Sequence, residues 1–167
     1  SVNTTGQTLV AFQFKYYLDH YGGPYTIGVA TRSNGGTWNT VWSMVNPTAS
    51  GQGSEVVAIT NSDVGSANFQ ISFFFSGYSF NLNYWYIDDV RLFVPLAHDV
   101  MVKDILTNPE YVAGTPFTPQ ALLKNLGSNS ETFNATCVIK LNGSSVYTQN
   151  CSNVTLSNFG TEQTVSF

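Results

Sequence analysis

Bulky apolar residues recur at every second position from Phe69 to Phe75, where Phe69, Ile71, Phe73 and Phe75 alternate with Gln70 and Ser72. Successive side chains of an extended chain point to opposite faces, so this spacing predicts a strand that buries one face in a core. A helix would spread the same residues around its circumference. The pattern is general. Val10, Phe12, Phe14, Tyr16 and Leu18 form one face of a long first strand, and Tyr25, Ile27 and Val29 a second, after the Gly22-Gly23-Pro24 turn. Trp38 to Val45, entered through Asn34-Gly35-Gly36, reads as a third strand and Glu55 to Thr60 as a short fourth. Tyr84 to Val94 closes the series.

Pro95 interrupts the pattern, and a second series starts at His98. Its expected strands are Val100 to Leu106, Pro119 to Leu126, Phe133 to Leu141, Val146 to Cys151, Val154 to Leu156 and Thr161 to Phe167. Asn108-Pro109 and Gly114-Thr115-Pro116 are loop signals between the first two. Many short strands separated by turn residues imply sandwiches. The expectation is therefore an all-β chain of two tandem antiparallel β-sandwiches, residues 1–95 and 96–167.

Only 10% of the 167 residues are charged, against roughly 25% in an average soluble domain. Hydroxyl and amide side chains fill the gap, a surface common on exported β-proteins. The net charge is −4, and Lys15, Arg32, Arg91, Lys103, Lys124 and Lys140 are scattered. No basic stripe can be assembled from them, which excludes a nucleic-acid groove and an anionic membrane surface. No apolar run approaches the length of a membrane span, so direct membrane insertion is not expected. These features point to the cell exterior.

Candidate chemistry is sparse. Asp88 and Asp89 are adjacent, and in a regular strand they face opposite sides, so they do not form an acid/base couple. One of them could bind a hard cation together with Asp19 or Asp63 and backbone carbonyls; the other reading is a backbone cap beside a solvated carboxylate. His20 follows Asp19, but no Gly-x-Ser-x-Gly elbow, His-Glu-x-x-His or paired nucleophilic cysteine accompanies it. No enzyme is expected within these residues. Tyr16, Tyr17, Tyr21, Tyr25, Tyr78, Tyr84, Trp85 and Tyr86 could include a sugar-stacking platform, with Tyr78, Tyr84 and Tyr86 as the ligand-binding candidates. Tyr84 and Tyr86 share one strand face, with Trp85 and Ile87 on the other, and the other readings are core packing and a protein contact.

N-glycosylation acceptors occur at Asn3, Asn134, Asn142, Asn150 and Asn153, four of them in the second half of the chain. Asn134 alternates against Phe133 and Ala135, which places it outward. Cys137 and Cys151 suggest a single disulfide, with two free thiols as the other reading. If Asn142-Gly143 is a two-residue hairpin turn, however, residue 148 sits opposite Cys137. A bridge to 151 then requires a longer loop, a bulge or a pairing to the next strand.

The segment Asn83-Tyr84-Trp85-Tyr86-Ile87-Asp88-Asp89-Val90-Arg91-Leu92 resembles the closing strand of MAM/concanavalin-like jelly-roll modules of large secreted prokaryotic proteins. Phe14 to Tyr21, Asn34 to Trp38 and Phe73 to Gly77 resemble other parts of the same modules. From Asp99 onward the chain resembles a CARDB-type immunoglobulin-like domain, through Gly114-Thr115-Pro116, Leu123-Lys124-Asn125-Leu126-Gly127 and Phe133-Asn134-Ala135-Thr136. The first resemblance implies structural calcium at Asp88, Asp89 and Asp19. Both imply a jelly-roll-like and then an Ig-like sandwich. Few residues precede the first matched strand and the last ends at Phe167, so each sandwich is expected to be truncated or completed by a neighbouring chain.

The functional expectation is a structural or adhesive surface protein. Its narrower form is a fibre or filament subunit completed by strand donation. Its partners would be copies of itself, other surface proteins or glycans. The alternative is an accessory carbohydrate-binding piece of a larger secreted hydrolase.

Overall fold

The computed structural model describes residues 1–106, 108, 110 and 114–167, so the loop signal at Pro109 lies outside the described residues. The chain divides into two compact units, Ser1–Val94 and Pro95–Phe167. Both are all-β with antiparallel pairing and the layered architecture of β-sandwiches.

The first unit contains β1 (Val10–His20), β2 (Tyr25–Ser33), β3 (Asn39–Val45), β4 (Gly51–Ile59), β5 (Phe69–Gly77) and β6 (Leu82–Phe93). They form two sheets, ordered β4-β1-β6 and β3-β2-β5. The central strands supply the core. Val10, Phe12, Phe14 and Leu18 of β1 face Ile27 and Val29 of β2, and all are buried. Phe14 packs edge-on against both Trp42 and Phe73 of the facing sheet, with ring centroids 5.2 and 5.1 Å away. Each fully buried Phe or Leu of this set contributes about 1.5–3 kcal/mol relative to exposure.

β4 is longer than the alternation implies, beginning at Gly51 rather than Glu55. Two glycines disguise it. Gly53 pairs with Tyr16, and a Cβ built there would lie 2.5 Å from the tyrosine ring, so the ring packs on bare backbone. β6 has a bulge where Gln13 and Lys15 of β1 face Arg91 and Asp88, leaving Asp89 at φ 52°. This corrects the expectation that Asp88 and Asp89 point to opposite faces. Lys15 is paired across the strands with Asp88, and its Nζ lies 2.7 Å from Asp89 Oδ2.

The second unit contains β7 (Val100–Leu106), β8 (Gln120–Asn125), β9 (Glu131–Leu141), β10 (Ser144–Leu156) and β11 (Glu162–Ser166). A three-stranded sheet, β11-β8-β7, faces the β10-β9 hairpin. Ala121, Leu123 and Val165 pack against Val154 and Leu156, with Phe133, Ala135 and Cys151 alongside. The two strands expected between Val146 and Leu156 are one strand, since a bulge between Cys151 and Val154 absorbs Ser152 and Asn153 without ending the pairing.

Asn125 ties this unit together. It is fully buried, and its Nδ2 donates to the carbonyls of Asn129 at 2.7 Å and Leu156 at 3.3 Å, while its Oδ1 accepts from Gly127 N–H at 2.7 Å. Its backbone N–H and C=O pair with Thr161 and Gly160. Removing the amide would strand several buried polar groups at once, each costing about 1–3 kcal/mol. Asn125→Ala is therefore expected to destabilise the second unit by about 2–4 kcal/mol. Hydrogen exchange should show faster opening of β8 and β10 amides with little change in β1 and β2; equal protection in both proteins would contradict it.

Candidate functional site

β7 lies at the edge of its sheet and, among the described residues, pairs only with β8. A bulge between Val102 and Asp104 places Val100, Val102 and Ile105 opposite Asn125, Leu123 and Ala121, on the core side of the sheet. Those three partners are buried, yet Val100, Val102 and Ile105 are 42, 57 and 66% exposed. A core-facing row this open means that the layer beneath β7 stops short. β9 likewise pairs only with β10 among the described residues, so its other edge has no strand partner among them.

A groove of about 410 Å³ lies along this open side. Val100, Val102, Ile105, Leu123, Phe133 and Cys137 line it, with Phe167 at the end of the chain. The site is chemically simple. Its lining is mostly apolar, with Gln120, Asn134 and Thr136 among it, and it is bordered by two strand edges that have no strand partner among the described residues. Such a surface recognises an extended backbone, whose amides satisfy an edge and whose alternate side chains fill the cleft.

The opposite face of the β9–β10 hairpin is polar. Thr132 pairs with Thr155 across the strands, Thr136 with Asn150 and Val138 with Thr148. The acceptor residues Asn134, Asn142, Asn150 and Asn153 are all exposed, as is Asn3 in the first unit. Asn142-Gly143 forms the two-residue turn, with φ of 50° and 84°, the left-handed pair that a type I′ hairpin requires. Asn134 Oδ1 accepts from Asn153 N–H at 3.1 Å, Asn150 Oδ1 from the Thr136 hydroxyl at 2.8 Å, and Asn3 Oδ1 from Thr5 N–H at 2.9 Å. In each case the oxygen is engaged and the nitrogen that would carry a sugar is not.

Cys137 and Cys151 are free thiols, which corrects the expected disulfide. The register gives the reason. The tight Asn142-Gly143 turn would set residue 148 opposite Cys137, and the bulge at Val146 moves that only to Gln149, while Ala135 faces Cys151. The cysteines are diagonal neighbours and not a cross-strand pair.

The tyrosines fall into two places. Tyr84 and Tyr86 lie on the outer face of the β4-β1-β6 sheet, stacked with centroids 5.6 Å apart, and Tyr17 of β1 extends the row toward Tyr86. Tyr78 instead joins Tyr21 and Phe80 at the end of the unit, where all three are exposed. Phe80 is an addition to the aromatics the sequence singled out, among which Tyr17 and Tyr21 already stood. Strand pairing brings Tyr17 beside Tyr86, and no local spacing announces that.

Asp19 is not brought to Asp88 and Asp89. It accepts from Ser50 near the far end of β1, while Asp89 is held by Lys15. No group of three His, Cys, Asp or Glu side chains that could hold a metal occurs among the described residues. His20 ends β1, with Nδ1 3.1 Å from Tyr25 Oη and its ring stacked on that tyrosine. His98 is exposed, and its Nδ1 lies 2.7 Å from Glu131 Oε1.

Asp63, the other carboxylate considered for a cation, is buried among donors. Thr31 Oγ1 donates to its Oδ2 at 2.7 Å and Asn39 Nδ2 at 3.0 Å. Burial pushes its carboxyl up, but the hydrogen bonds from Asn39, Thr31 and Ser33 outweigh burial and hold it below its ordinary value. It clamps the loop after β4 to β2 and β3.

Comparison with protein-family models and with curated proteins gives no match.

A carboxyl whose folded pKa is depressed adds stability above its unfolded pKa and loses it as pH falls through the folded value. The first unit should thus lose stability below about pH 4. Asp63→Asn should cost about 1–3 kcal/mol at neutral pH and flatten that acid limb in denaturation curves. An unchanged acid limb in the variant would assign the pH dependence to other groups.

Proposed function

We propose that this chain is a non-catalytic structural or adhesive protein of the cell exterior, whose second unit is completed by a β-strand from another polypeptide. The observation that carries this reading is the open side between β7 and β9. There a core-facing row of Val100, Val102 and Ile105 and a β9 edge with no strand partner among the described residues border one mostly apolar groove. A groove bounded by backbone edges suits a strand better than a small polar substrate.

The surroundings support an exterior role. The low charge and the cluster of four exposed acceptor asparagines on one hairpin suit an exported, glycosylated surface. The resemblance of the first unit to MAM/concanavalin-like jelly rolls and of the second to CARDB-type immunoglobulin-like domains adds adhesion, matrix and scaffolding roles to the same reading. Hydrogen exchange with a short peptide of alternating Val and Thr tests the groove. The expected result is slowed exchange of β7 or β9 amides and a higher Tm of the second unit. Unchanged exchange at both edges, at peptide concentrations up to about 1 mM, would remove the reading.

A second reading, carbohydrate binding as an accessory to a secreted hydrolase, is favoured by the exposed row of Tyr17, Tyr86 and Tyr84. Stacked, solvent-facing tyrosines offer apolar ring faces with polar tips. Its signature would be retention on a polysaccharide array that is lost in the Tyr84→Ala/Tyr86→Ala variant. No retention by the parent chain would eliminate it.

A further inference from the structure

We propose that β7 pairs edge to edge with β7 of a second copy of this chain, antiparallel about a two-fold axis between Lys103 and Asp104. This rests on the reading that the open side of the second unit takes a strand, and it names that strand.

The residues of β7 are complementary to themselves. Reversed about its centre, Met101-Val102-Lys103-Asp104-Ile105-Leu106 places Met101 against Leu106, Val102 against Ile105 and Lys103 against Asp104. Each pair joins two apolar side chains or two opposite charges, and such cross-strand pairs stabilise a sheet.

The bulge makes this register possible. Residues directly opposite one another in a sheet must share a face, and in a regular strand Val102 and Ile105 would not, being three positions apart. The extra residue between Val102 and Asp104 puts both on the core side, opposite Leu123 and Ala121. Met101 and Leu106, opposite Lys124 and Gln120, share the outer side. These two pairings therefore meet face to face, and Lys103, whose Nζ reaches Glu162 beside Lys124, meets Asp104, opposite Leu122, on the outer side. A strand without the bulge could not pair with itself in this way.

An edge lysine and a bulge ordinarily discourage pairing. Here the lysine does not guard the edge. Lys103 Nζ donates to both oxygens of Glu162 at 2.8 Å, and Lys124 reaches the same carboxylate at 2.9 Å. The charge is thereby turned over the outer face, where one carboxylate against two lysines leaves a net positive charge for Asp104 of the second copy. On the core side, Val102 and Ile105 of both copies would gather at the axis and cover one another beside Phe133 and Cys137. The contact is isologous and closes as a pair.

The test uses the full chain with Cys137→Ser and Cys151→Ser. Chains carrying Val102→Cys, mixed with chains carrying Ile105→Cys, should form a disulfide-linked heterodimer under mild oxidation. Either variant alone should link far more slowly. Both positions are exposed in the single chain, so neither substitution opens the core. Light scattering of the parent chain should show a dimer, and Asp104→Lys, which sets like charges opposite each other twice, should raise its dissociation constant about tenfold. A parent chain that stays monomeric up to about 1 mM overturns the proposal, as does a mixture that links no faster than its components. If that monomer still protects its edge amides with the Val-Thr peptide, self-pairing fails while the strand-accepting groove stands. If it protects none, both fail.

Discussion

The first unit depends on edge-to-face contact across its two layers. Phe14 meets Trp42 and Phe73 at interplanar angles of 82°, and Phe73 in turn meets Trp85 at 87°. These rings come from β1, β3, β5 and β6, so one cluster fixes the registers of four strands. A slip of a single residue in any of them would turn the aromatic face to solvent, and the energetic cost of that inversion makes the pairing unique. Among the described residues the second unit shows no aromatic cluster of this kind. Its core is mostly aliphatic, with Phe133 and Phe167 at its margin, and Asn125 joins the ends of β8 and β10 through its amide. One unit is specified by shape and the other largely by hydrogen bonds, which suits a unit whose apolar layer stops short on one side.

Much of the architecture is legible in the sequence because burial on one face writes a period of two. Phe12, Phe14, Ile27, Val29 and Phe69 are inward where the alternation puts them. β4 is less legible, since Gly51 and Gly53 carry no side chain to show a face. The reason for Gly53 is the ring of Tyr16, a residue on another strand. The cysteines stay apart even though the bulge at Val146 moves the residue facing Cys137 from 148 to 149, one step toward Cys151; one extra residue is too few to set the two opposite each other.

Bulges account for most of what was hidden at the candidate sites. One at Asp89 puts two neighbouring carboxylates beside Lys15, where a regular strand would separate them. Another turns Val102 and Ile105 to the same side of β7. A third keeps β10 continuous through Ser152 and Asn153. Each depends on the partner strand, so the alternation within one strand cannot locate it. Sequence patterning was thus informative about which residues want to be buried. It was poor at showing which apolar residues would find nothing to bury them, and the groove beside β7 consists of those.

The polar ladder on the outer face of the β9–β10 hairpin has a further consequence for assembly. Paired threonines and asparagines there would lose water contacts if another sheet were pressed against them. Stacking a second layer on that side is therefore disfavoured. If copies of the second unit do associate through β7, they meet sideways, in the plane of their sheets, and the pair keeps this polar face turned to solvent.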